Sequence, residues 1–160
     1  MIKVVYSRLD YSSYKQIGGL KMSSNIDIIR EVFEELFLKG NLANYDKLID
    51  PNVHIHCPPS WKNIHLWEIQ GKASIKEIDK EYAKAFKMIE VAIEDLIEKE
   101  DKVVVRWSAK GIHKEKFFDI LPTNQKFELT GISIYRLNHQ KIVEVWQSWD
   151  MLGLLRQIKK

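Results

Sequence analysis

The stretch Lys126-Phe-Glu-Leu-Thr-Gly-Ile-Ser-Ile-Tyr-Arg-Leu-Asn-His-Gln-Lys-Ile-Val-Glu-Val-Trp-Gln-Ser-Trp-Asp150 decides the fold. Runs rich in β-branched and aromatic residues flank a short polar break, the pattern of two strands joined by a turn. Lys126–Leu137 reads as one long strand, Asn138–Gln140 as a tight turn, and Lys141–Asp150 as the strand that pairs back. Upstream, Lys114–Asn124 is a long connection ending in Pro122-Thr-Asn124, where asparagine tolerates a left-handed turn. Val103–His113 is a third long strand, and a turn at Lys99–Asp101 leads back to a fourth at Val91–Glu98. Beyond Asp150, Met151–Gln157 reads as a tail.

Helical periods precede these strands. Ser24 with Asp27 three residues on resembles a capping box. Ile26, Ile29, Phe33, Leu36 and Phe37 then recur at helical spacing, with Gly40 placed to cap the end. A short second helix has Leu42, Tyr45, Leu48 and Ile49 inside and ends before Pro51. Val53–Cys57 is a short strand stopped by Pro58–Pro59. Residues 58–71 read as a loop carrying Trp61, His65 and Trp67, and Ala73–Phe86 as a third helix with Ile75, Ile78, Tyr82, Ala85 and Phe86 on its apolar side. Residues 1–22 show no sustained period. They read as a loosely ordered extension with a short strand at Ile2–Tyr6, and Met22 is an alternative start. The domain proper is 23–160. Helices first and then long strands give an α+β fold: a curved antiparallel sheet wrapped over three N-terminal helices, forming a conical pocket. Such a concave cavity is the default ligand site.

Composition narrows the function. The 160 residues make one domain, and 45% hydrophobic content is enough to fill a core. A net charge of +3 with scattered lysines gives no footprint for nucleic acid. The single cysteine, Cys57, cannot form an internal disulfide, which makes a reducing compartment the default. No apolar run is long enough to span a membrane, and Met1–Val5 lacks the apolar region of a signal peptide, so the expected location is the cytoplasm.

The segment Lys141-Ile-Val-Glu-Val-Trp-Gln-Ser-Trp-Asp-Met-Leu-Gly-Leu-Leu-Arg-Gln-Ile158 resembles the C-terminal signature of the SnoaL-like polyketide cyclases, Gly-Lys-Ile-x-Glu-x-Trp-x-x-x-Asp-x-x-Gly-Leu-x-x-Gln-Leu. Asp101-Lys-Val-Val-Val-Arg-Trp107, Gly111-Ile-His113, Leu121-Pro-Thr-Asn124, Asn52-Val-His-Ile-His56 and Gly71 match further family stretches in the same order. The resemblance covers residues 24–158. It implies the cone-shaped fold shared with nuclear transport factor 2 and ketosteroid isomerase. It also implies a cofactor-free aldol ring closure, in which a buried carboxylate moves a proton beside a carbonyl.

Two positions depart from the family pattern. Where the cyclases read His-Trp-Asp-x-x-Asp, this chain reads Val145-Trp146-Gln147-Ser148-Trp149-Asp150. Gln147 therefore stands at the acid/base position, and an amide hydrogen-bonds but shuttles no proton at neutral pH. On a strand Gln147 shares its face with Val145 and Trp149, and Asp150 with Trp146 and Ser148. Asp150 is either catalytic or a cap where the strand ends. His56 matches a pocket-facing histidine of the family and is the candidate proton carrier; the alternative is a histidine satisfied by neighbouring backbone. His54 shares the face of His56, but no further ligand cluster is recognisable, so no metal is expected. His54, Trp107, His113 and Ser133 on the earlier strands, Trp146 and Trp149 on the last, and Trp61 and Trp67 on the loop are candidate pocket residues; a surface or rim position is the alternative for His113, an ordinary strand position for Ser133, and core packing for Trp61 and Trp67. Two functions follow. One is a cyclase, isomerase or lyase relative that uses no cofactor on a small hydrophobic carbonyl compound, with Gln147 orienting it. The other is a non-catalytic module binding a hydrophobic ligand or partner. The open sheet face adds an expected homodimer or higher homo-oligomer.

Overall fold

The computed structural model describes residues 3–6, 24–57 and 68–159, the first of these as backbone. Three antiparallel pairings join four long strands: β4 (Phe86–Lys99), β5 (Lys102–His113), β6 (Lys126–Asn138) and β7 (Lys141–Trp149). His139 and Gln140 both take positive φ, 46° and 62°, the geometry of the two-residue turn whose twist matches paired strands. Along β5 and β6 burial alternates residue by residue, with Val103, Val105, Trp107 and Ala109, then Phe127, Leu129, Ser133 and Tyr135, on the inner face.

The sheet has seven strands in the order β1-β4-β5-β6-β7-β2-β3. The flanks were less legible from sequence. β1 (Lys3–Tyr6) lies parallel to β4, and β2 (Ile49–His56) lies parallel to β7, so the sheet is mixed at both edges. Parallel neighbours come from distant sequence and leave no local turn signal. β2 starts before Pro51, which sits in the irregular stretch between its paired positions Ile49 and His54, where a missing N–H costs no ladder bond. β3 (Glu68–Gln70) adds a short antiparallel edge inside the expected loop.

The helices cover the inner face. α1 (Asn25–Glu31) opens on the expected box, with Ser24 Oγ accepting from Asp27 N and Asp27 accepting from Ser24 N. It runs on as a wider π turn (Val32–Leu38), and Gly40 follows with φ of 63°, a left-handed value that costs glycine little. A single turn, α2 (Tyr45–Leu48), and the longer α3 (Lys72–Ala85) complete the layer. The segment expected as a tail is a helix, α4 (Met151–Ile158), with Leu154, Leu155 and Ile158 buried. Gln157 fixes it to β6: its amide oxygen accepts from Glu128 N at 2.9 Å, and its amide nitrogen donates to Glu128 O at 2.8 Å. No described helix is long and apolar enough to cross a membrane.

Candidate functional site

Between the sheet and the helices lies a cavity of about 290 Å³, at the lower end of ordinary small-molecule sites. Its sheet wall is set by alternation. β2 contributes Val53 and Ile55, with Cys57 just past its end, and β7 contributes Val145, Gln147 and Trp149. Ile142 also faces in, because the register slips between Arg136 and Leu137 opposite it and so shifts the phase of β7. The helical wall is α3, through Ile75, Ile78, Asp79 and Tyr82. The lining is otherwise mainly aliphatic and aromatic, with Phe117 and Phe118 from the β5–β6 connection and Glu81 the other carboxylate among the described lining residues.

Asp79 is the titratable group that stands out. Positions 75, 78, 79 and 82 fall on one face of α3, so the helix drives a carboxyl into its own apolar stripe. Burial among these neighbours raises the Asp79 carboxyl from 3.8 to about 7. The Tyr45 hydroxyl donates to Oδ2 of Asp79. Burial pushes the phenols of both Tyr82 and Tyr135 up, with the nearby Asp79 charge adding to the effect, so both stay neutral donors. Cys57, half-buried in the lining, is likewise raised by burial and kept as a thiol. Gln147 lines the cavity, and its amide makes no hydrogen bond among the described residues. Trp149 packs edge-on against Tyr82 at 5.9 Å and closes one side.

The other residues singled out in sequence distribute differently. His56 points to the outer face. Its Nε2 lies 2.9 Å from Glu144 Oε1, and its ring stacks on Trp146 at 5.2 Å. The reason is alternation: with Val53 and Ile55 turned inward, His54 and His56 must turn outward, and Trp146 follows the same rule on β7. His54 sits beside them, 3.1 Å from Glu68 Oε2. Trp107 and Ser133 are core residues behind the cavity: the indole Nε1–H donates to Ser133 Oγ at 3.1 Å, and the ring packs on Phe33 and Phe37. His113 is fully buried at the far end of β5, its Nδ1 3.1 Å from Thr123 Oγ1, and burial holds it low and neutral. Asp150 lies outside the cavity and caps α4, accepting from Gly153 N at 2.7 Å. A side chain at Gly153 would bring its Cβ within 2.0 Å of that carboxylate, which explains the Asp-x-x-Gly spacing. Trp61 and Trp67 lie outside the described residues.

The apolar residues of α3 alone do not reveal Asp79. The available signal was a lone carboxylate four residues after Ile75 and three before Tyr82, inside the stripe.

Comparison with known proteins agrees with this architecture. Residues 27–158 match the family model described as SnoaL-like polyketide cyclase. Among solved structures, IdmH of Streptomyces antibioticus, described as a candidate polyketide cyclase, is 25% identical with a TM-score of 0.73, over 86% of this chain and 100% of that one. A candidate polyketide cyclase from Acidithiobacillus ferrooxidans is 26% identical with a TM-score of 0.72, over 88% and 98% of the two chains. AclR of Streptomyces galilaeus, described as a candidate hydroxylase, shares the fold at 20% identity and a TM-score of 0.71, over 84% and 95%. No curated protein matches the chain.

Proposed function

The chain belongs to the SnoaL-like polyketide cyclase family, and from that premise we propose that it is a cofactor-independent acid–base enzyme acting on a small apolar carbonyl compound, by aldol cyclisation, isomerisation or lyase-type chemistry. The observation that carries this is Asp79: a carboxyl facing an apolar cavity, hydrogen-bonded by Tyr45 and raised to about 7. A group that titrates near neutrality both takes and returns a proton at working pH. Ionised Asp79 removes a proton from the carbon beside the carbonyl, and the electron pair moves onto the carbonyl oxygen as an enolate. The enolate carbon then attacks a second carbonyl or is reprotonated, and Asp79 returns the proton. Gln147, opening into the same cavity, donates its amide N–H to the enolate oxygen. The proton-carrier role expected for His56 passes to Asp79, because His56 is engaged with Glu144 on the opposite face.

The test is deuterium exchange at the acidic carbon, with product formation, over a panel of polyketide-like β-keto esters. Wild type exchanges and turns over at least one; Asp79→Asn loses about 10²–10⁴-fold. Undiminished exchange by the variant would overturn the assignment.

Gln147 itself favours a second reading, a non-catalytic module that holds an apolar ligand or partner, since the family pattern carries Asp at that position. Under that reading wild type binds members of the panel without exchange, and Gln147→Asp gains activity. Two finer expectations accompany both readings. The outer sheet face, where Ile132 is 51% exposed, supports a homodimer, to be measured by light scattering on the eluting protein. The lone Cys57 suits a reducing, cytoplasmic setting.

A further inference from the structure

The outer face of the β3–β2–β7 edge gathers a set of donors that the cavity does not use. Register explains it. His54 pairs directly with Glu144 across the parallel β2–β7 ladder, and His56, two residues on, shares its face and pairs with Glu68 across β2–β3. One ring nitrogen of His54, one of His56 and a carboxylate oxygen of Glu144 all lie within 4.8 Å of one another. Glu68 approaches from the side, 3.1 Å from His54 Nε2 and 3.7 Å from His56 Nδ1.

The supporting contacts orient these groups. Arg136 grips one oxygen of Glu144, with Nε at 2.8 Å and a terminal nitrogen at 2.7 Å, leaving Oε1 turned towards His56. Trp146 stacks almost flat on the His56 ring, at 4° between planes, and fixes its orientation. An ordered ring and a carboxylate braced by a second residue are what metal ligands commonly have around them. Tetrahedral coordination at about 2.0–2.2 Å spaces donor atoms roughly 3.3–3.5 Å apart, so the widest gap here must close by little more than about an ångström, within reach of side-chain rotation. Two imidazoles with carboxylate suit zinc and its neighbours rather than calcium or magnesium, which take oxygen ligands.

We propose that His54, His56 and Glu144 form a binding site for a divalent transition-metal ion of the Zn²⁺ type, with Glu68 or water in the fourth position. The ion would clip β2 to β7, and through Glu68 to β3, on the face away from the cavity. It takes no part in the proton transfer assigned to Asp79.

The experiment uses the full chain after treatment with a chelator. Zn²⁺ is titrated calorimetrically, and Co²⁺ serves as an optical probe of four-coordinate geometry. The expected result is one ion per chain, the visible bands of tetrahedral Co²⁺, and a higher melting temperature with Zn²⁺. His54→Asn and Glu144→Gln each weaken binding at least tenfold, while Cys57→Ser, altering the opposite face, leaves it unchanged. If Glu144→Gln fails to fold, His54→Asn decides alone, because His54 is partly exposed and outside the core. Absence of saturable binding by wild type, full affinity in His54→Asn, or one ion per two chains would each overturn the site.

Discussion

Asp79 and Glu144 are two carboxylates on opposite sides of one wall, and their surroundings drive them in opposite directions. Asp79 is set among Ile75, Ile78 and Tyr82, and burial raises it to about 7. Glu144 is met by His56 and then Arg136, and those partners hold it below the ordinary carboxylate range. Residue type says nothing about which of them can move a proton. The apolar side makes a carboxyl that changes state at neutral pH; the paired side makes one that stays charged. The carboxyl raised towards neutrality stands between the sheet and α3, and the fixed charges stand where solvent and partners stabilise them.

The comparison is broken most severely at Asp79. In the proposed reaction the base form abstracts the proton, so turnover should rise as pH passes through about 7. Asp79→Asn should abolish that rise together with about 10²–10⁴-fold of the rate, measured as a pH–rate profile. The same substitution should stabilise the fold. Asp79 holds its proton more tightly when folded than unfolded, so folding pays nothing below about pH 4 and loses stability as pH climbs to about 7. Discounted for partial exposure, the loss is roughly 3 kcal/mol, and Asp79→Asn should recover most of it at pH 8 in denaturant titrations. A wild-type stability that does not decline over this interval would remove the argument for a neutral-range carboxyl.

Smaller effects sharpen the contrast. Ser133→Ala leaves the buried Trp107 N–H without its acceptor and should cost about 1–3 kcal/mol, read as a shift in the unfolding midpoint. Asp150→Ala removes the cap of α4 and should cost about 1 kcal/mol while leaving turnover intact; a collapse of turnover in a folded variant would return Asp150 to the chemistry. Glu144→Gln should have the least effect, under about 1 kcal/mol in metal-free protein, because its partners are partly solvated. Its sign is opposite to that of Asp79. A carboxylate held low contributes stability above its unfolded range, and that contribution fades as pH falls through the folded value. Melting curves at pH 3 and pH 7 separate the two.

Much of the frame was legible in sequence because it is local. The Asn138–Gln140 turn, the strands beside it, the Ser24–Asp27 box and the Gly40 cap each rest on residues within a few positions of one another. The flanks rest on distant ones. Nothing near Ile49–His56 announces Lys141–Trp149 as its parallel neighbour, and a three-residue strand such as β3 has too few residues to show a period. The site divides in the same way. Gln147, Val145 and Trp149 share an inner face as alternation requires. The family resemblance implies a pocket-facing His56, whereas Val53 and Ile55 beside it imply the reverse. Asp79 needed the third dimension, since only the packing of α3 against the sheet turns a helical stripe into a cavity wall.

The parallel pairing of β2 with β7 also bears on the order of assembly. His56 and Glu144 are 88 residues apart in sequence, whereas β4 to β7 join successive neighbours through connections far shorter than that. Closing the longer loop costs more chain entropy before any contact rewards it. The meander therefore forms early, and the seam that completes the cavity wall is sewn late. A nascent or partly unfolded chain would keep its sheet while lacking a pocket, so ligand binding reports completion of folding rather than its onset.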